Sequence, residues 1–201
     1  MPSVPSFTVS YAKVEAALVK MHNIASDDVS AFRARFGALQ RGGLLGPESQ
    51  PGKGRRLEYG PDQMHRAVLA FELVQAGVAP GIILPLIRDY WNNKLSEICL
   101  KADRAIEDES RDVVLILAGV TALSSNTPVP NINHTTLDKM SERMTLALDG
   151  KGAPARALLV NLSAQLRKFH DALVGYHLQA EPRVEAMTRG KSKRQSTVRK
   201  R

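Results

Sequence analysis

The chain has 201 residues, of which 43% are hydrophobic and 24% charged, a balance that suits one large or two small soluble domains. No apolar run approaches the roughly 18–20 residues of a membrane-crossing helix. One cysteine, Cys99, excludes an internal disulfide and a cysteine-built zinc site.

The net charge is +8, but seven Lys or Arg residues and no acid lie between Met187 and Arg201, so the rest of the chain carries only +1. A second basic cluster lies in Asp28–Arg56, where Arg33, Arg35, Arg41, Lys53, Arg55 and Arg56 face only Asp28 and Glu48. Two basic patches point first to phosphate backbones. The opening Met1-Pro2-Ser3-Val4-Pro5 has no basic patch leading into an apolar stretch, so no secretory signal is expected and a reducing cytoplasmic setting is.

Residues 1–9, with two prolines, read as a flexible leader. Val14, Ala17, Leu18 and Met21 fall on one face of a helix spanning Tyr11–His22. Ser26-Asp27-Asp28 offers a cap and an acidic first turn to a second helix with Val29, Phe32, Phe36 and Leu39 on one side, closed by Gly42-Gly43. Leu44-Leu45 and Arg56–Tyr59 are expected to be the arms of a hairpin around the Gly- and Pro-rich loop 46–54. Pro61 opens a third helix through Met64, Val68, Phe71 and Leu73, and Gly77 closes it. Pro80 opens a fourth, with Pro85 near its first turn. Its pattern runs past Tyr90, Trp91, Leu95, Ile98 and Leu100 toward Ile106, long enough to leave the preceding unit as a dimer helix.

Composition changes near Glu107. Asp112–Val120 and Ala157–Leu162 read as aliphatic strands, Ser124–Asn133 as a turn-rich loop, and Thr135/Thr136 as caps of a helix through Leu137, Met140, Met144 and Leu148. Ser163–His177 is a second helix, with Leu166, Phe169, Leu173 and Tyr176 on one side. Two short strands seldom stand alone, which suggests pairing with a second copy. The expected architecture is mainly α with a small β component. A winged helix-turn-helix with a helical extension (10–105) is followed by a small α/β dimerisation or effector unit (110–178) and a disordered basic tail (181–201).

The order and spacing of Ser26–Ile87 resemble the DNA-binding domain of the MerR family, over about 40% of the chain. Gly43-Leu44-Leu45-Gly46-Pro47 is similar to the family's Gly-Leu-Leu-x-Pro after the second helix. Gly54-Arg55-Arg56-Leu57-Glu58-Tyr59 is similar to its wing, Asp62 to its next helix start, and Leu73–Pro80 to its Leu-x-x-Gly-Val turn. The chain departs from the pattern in having Ala34-Arg35-Phe36 where the family has an aromatic pair, and in a longer wing loop. The resemblance implies a dimeric, nucleoid-associated transcriptional regulator that binds double-stranded DNA, with no cofactor and no membrane partner.

A helix fits the major groove, and donors on its outer face meet phosphates and guanine edges. Arg33, whose planar fork bonds two acceptors at once, is the first candidate, with Ser30 on the same face and Arg35 and Arg41 nearby. Lys53, Arg55 and Arg56 are expected to grip the flanking backbone, and Tyr59 to pack against the wing within the same site. Nothing in the chain points to an enzyme. His22, His65, His134, His170 and His177 show no ligand spacing, and Gly52-Lys53-Gly54 is too short for a phosphate loop. The alternative is an assembly module whose basic tail alone touches nucleic acid.

Overall fold

A computed structural model describes residues 8–46, 58–118, 131–143 and 157–175. The described residues are mainly helical, with two small antiparallel sheets. The chain begins with β1 (Val9–Ser10), α1 (Tyr11–Met21) and α2 (Val29–Arg41). A short strand, β2 (Glu58–Tyr59), leads into α3 (Pro61–Gln75) and α4 (Pro80–Tyr90). The helices close alike. At the end of α2, Leu44 N–H reaches back to the Leu39 carbonyl (3.1 Å) and Gly43 N–H to that of Gln40 (2.9 Å). At the end of α3, Val78 and Gly77 do the same with Leu73 and Val74. This closure needs a left-handed residue, which Gly43 (φ 89°) and Gly77 (φ 80°) supply without the clash of a Cβ. It also turns Leu44 and Val78 into the core.

That turn corrects the expected hairpin. Leu44 and Leu45 are buried turn residues, not a strand. The strand that pairs with β2 is β1, antiparallel, with Val9 opposite Tyr59. Val9 therefore belongs to the core (3% exposed) and not to a loose leader. The first helices meet over aromatic rings. Phe36 stacks on Tyr11 at 5.5 Å and meets Phe71 edge-on at 5.3 Å, and Phe32 lies 4.6 Å from Phe71. Such pairs add directional preference to the area they bury.

The expected dimer helix is also corrected. After α4, a π-helical turn (Trp91–Leu95) leads into α5 (Ser96–Arg104). Leu95, Ile98, Cys99 and Ala102 are buried, and α5 packs on α3 and on the central strand of the second sheet. Most of the apolar stripe that suggested an outward projection is consumed within the chain, with Leu100 left exposed. The indole of Trp91 is fixed by donating to Asp62 Oδ1 (2.6 Å), with the Arg66 guanidinium 4.6 Å from the ring centre.

The second sheet has three strands in the order β4-β3-β5: β3 (Val113–Ala118), β4 (Asn131–Thr136) and β5 (Ala157–Asn161), all antiparallel. Asn131–Asn133, expected in a loop, is the start of β4. This strand flanks β3 on the side away from β5, so the argument for borrowing strands from a second copy lapses. The expected helix after Thr136 begins as a short 3₁₀ turn (Leu137–Lys139), and Leu137 is exposed rather than part of a core.

A final helix, α6 (162–175), carries Leu166, Phe169 and Leu173 into the same hydrophobic cluster as Leu18, Phe36 and Phe71. The two expected units thus share one core. Their junction is polar and satisfied. The buried Asp112 accepts from Arg167 (2.7 Å) and Asn161 (2.9 Å), Arg167 also donates to the Ile106 carbonyl (2.6 Å), and Ser163 Oγ accepts from Val113 N–H while donating to the Ala102 carbonyl.

Candidate nucleic-acid interface

The inner face of α2 is Phe32, Phe36 and Leu39, each under 5% exposed. At 100° per residue, Ser30, Ala34 and Arg41 then point directly away from the core. Arg33 lies on the flank toward α1, and Arg35 on the opposite flank. All five are exposed. The helix holds three arginines and no acid. Arg41 folds back along it, its guanidinium 3.3 Å from where a Cβ at Gly37 would stand. The Cβ-less Gly37 leaves the middle of this face low.

The expected cap does not form. Asp28 stands at the N-cap of α2 without a side-chain bond to it, and a 3₁₀ turn (Ser26–Asp28) leads into the helix instead. Asp27 accepts from Ser26 Oγ at 3.1 Å.

Arg33 is not a free cation. Its Nε donates to Glu15 Oε1 at 2.6 Å, which holds the guanidinium proton more firmly than usual. Glu15 sits in the buried stripe of α1, 8% exposed. Tyr11 is pushed up to about 12 by burial and by its hydrogen bond to that carboxylate. The Arg33 side chain remains 62% exposed, so the fork keeps donors for an outside acceptor while its charge is largely cancelled. The uncompensated charge on α2 is therefore carried by Arg35 and Arg41. Sequence reading missed Glu15, although an acid among Val14, Ala17 and Leu18 is a signal in itself. A carboxylate facing a core must find a partner.

Tyr59 leaves the site. It is fully buried, its ring lies 6.3 Å from that of Phe36, and its hydroxyl accepts from Gln40 Nε2. Burial pushes its phenol well above the ordinary value. It anchors β2 to α2 and is out of reach of any duplex. Lys53, Arg55 and Arg56 lie outside the described residues, as do the basic tail and His177.

Among the described residues there is no group of His, Cys, Asp and Glu that could hold a metal ion, and no helix long and apolar enough to cross a membrane. Cys99 is 1% exposed, and burial pushes its thiol up to about 12. Compared with protein-family models and with curated proteins, the chain matches none.

Proposed function

We propose that the chain is a DNA-binding protein that presents α2 to the major groove of a duplex. More particularly, it is a MerR-like transcriptional regulator, acting as a dimer on nucleoid DNA, with β2 as the root of its wing. The observation that carries this reading is the exposed side of α2: Arg41 directed outward, Arg33 and Arg35 on its flanks, no carboxylate on the helix, and an aromatic inner face that holds it against α1 and α3. A rigid, cationic, outward helix is what groove entry requires, because phosphates and base edges offer acceptors.

The test is selection of bound genomic fragments against random DNA, followed by anisotropy titrations of the best site. Replacing both Arg35 and Arg41 by alanine is expected to abolish selective binding and to flatten the log–log salt dependence by about 1.8. Deleting 187–201 is expected to reduce salt sensitivity while selectivity survives. If that deletion removes all nucleic-acid binding, or the double variant binds the selected site like the wild type, α2 is not the reader and the assembly-module alternative takes its place.

A further inference from the structure

Between β1, α3, α5 and α6 lies a cleft of about 330 Å³. Val9 of β1, Pro61 and Met64 of α3, and Phe169, Leu173 and Val174 of α6 form its apolar walls. Three polar side chains converge on it, one from each of three helices: His65 (α3), Asp103 (α5) and His170 (α6). His65 Nε2 stands 3.7 Å from Asp103 Oδ2, and His170 Nε2 stands 3.3 Å from Asp103 Oδ1. Oδ1 makes no hydrogen bond among the described residues, and His170 is its ion-pair neighbour. His65 beside it holds the Asp103 carboxyl below the usual range, so the cleft presents a carboxylate at neutral pH. Among the described residues, no Lys or Arg lines it.

A concave apolar site of this volume is the size of a small organic molecule, not of a peptide or helix. A carboxylate in the wall of an apolar chamber is costly until its charge is matched. A cationic donor recovers most, because it satisfies the lone pair and the charge together. We propose that this cleft binds a small organic amine, its ammonium on Asp103 and its apolar body between Val9 and Phe169.

The location gives the ligand a lever. Val9 pairs with Tyr59, and Tyr59 receives the Gln40 amide of α2, so one wall of the cleft is continuous with the outward helix through packed side chains. Occupancy then shifts DNA affinity, and DNA shifts ligand affinity by the same factor. This coupling rests on the DNA-binding reading of α2. The ligand site does not.

The test titrates the full chain by two-dimensional NMR with phenethylamine, its isosteric alcohol 2-phenylethanol, and phenylacetate. Phenethylamine is expected to bind about tenfold or more tightly than the alcohol, and phenylacetate more weakly than either. Asp103→Asn should remove the amine's advantage. Val174→Trp, at a surface position that tolerates bulk, should block the cleft to amine and alcohol alike. Equal affinity for amine and alcohol overturns the proposal, as do no binding of the amine up to about 10 mM and full amine affinity in Val174→Trp. An amine that binds without changing the affinity for selected DNA refutes the coupling alone. An amine that binds a chain with no DNA affinity at all refutes the reading of α2 and leaves the site standing.

Discussion

Glu72 makes a pH-dependent prediction that does not depend on any ligand. It sits on α3 with its side chain 14% exposed, 3.7 Å from Nδ1 of His22 at the end of α1. Burial pushes its carboxyl from 4.5 up to about 7, against the opposing pull of Lys168 on α6. Because the folded value is raised, the folded protein bears a cost wherever this group is ionised. Stability from Glu72 is lowest above pH 7, grows as pH falls from about 7 to 4.5, and is constant below that. The full gap corresponds to about 3 kcal/mol. Solvent access to the side chain reduces it to about 2 kcal/mol. His22 acts in the opposite sense. Burial lowers its pKa below 6.5, so acidification below that point favours the unfolded chain. The two oppose each other just below pH 6.5, and above it the cost of ionised Glu72 grows alone until pH passes about 7. Glu72→Gln removes the charge and keeps the shape. It should raise the melting temperature at pH 8 by about 4–8 °C and leave it unchanged at pH 4, read by circular dichroism in matched ionic strength. Equal destabilisation at both pH values would refute the reasoning, since it would mean that Glu72 works as a charged partner of His22 and Lys168.

Other outcomes follow from single contacts. Phe36→Ala empties the centre of the aromatic cluster and should cost about 3–5 kcal/mol in urea unfolding; a loss below about 1 kcal/mol would show that the cluster collapses around the gap. Cys99 should stay unreactive toward a thiol reagent at pH 8 until the chain unfolds, and labelling of the native protein at the rate of a free thiol would contradict its burial. Glu15→Gln frees the Arg33 charge. Removing an anion about 8 Å from a phosphate should tighten binding to selected DNA about two- to sixfold and steepen its salt dependence by about 0.9. Unchanged affinity and slope would place Arg33 away from the duplex.

The first three helices were legible because each has a wide apolar face, and the second and third a glycine stop. Phe32, Phe36 and Leu39 on one side and Gly43 at the end leave little choice. Cys99 and Trp91 were also readable as buried groups. The sheets were less so. β4, Asn131–Thr136, carries only Ile132 as an aliphatic residue, and its polar composition hid a strand whose pairing comes from β3 and not from its own preference. β1 was hidden in a Pro-rich leader, since two residues cannot announce a strand whose partner lies nearly fifty positions on. The Arg33–Glu15 pair and the grouping of His65, Asp103 and His170 depend on tertiary contact, which periodicity does not encode. Tyr59 was drawn into the site by its place beside Arg55 and Arg56, although strand alternation turns it inward while Glu58 faces out.

The return of α6 onto the first helices bears on how the protein is made. Phe169 and Leu173 close a chamber whose other walls, Val9 and Met64, are synthesised more than a hundred residues earlier. On the ribosome, the amino-terminal helices must wait with that surface wet until the last helix has cleared the exit tunnel. A nascent chain stalled before residue 162 is therefore a substrate for chaperones and proteases.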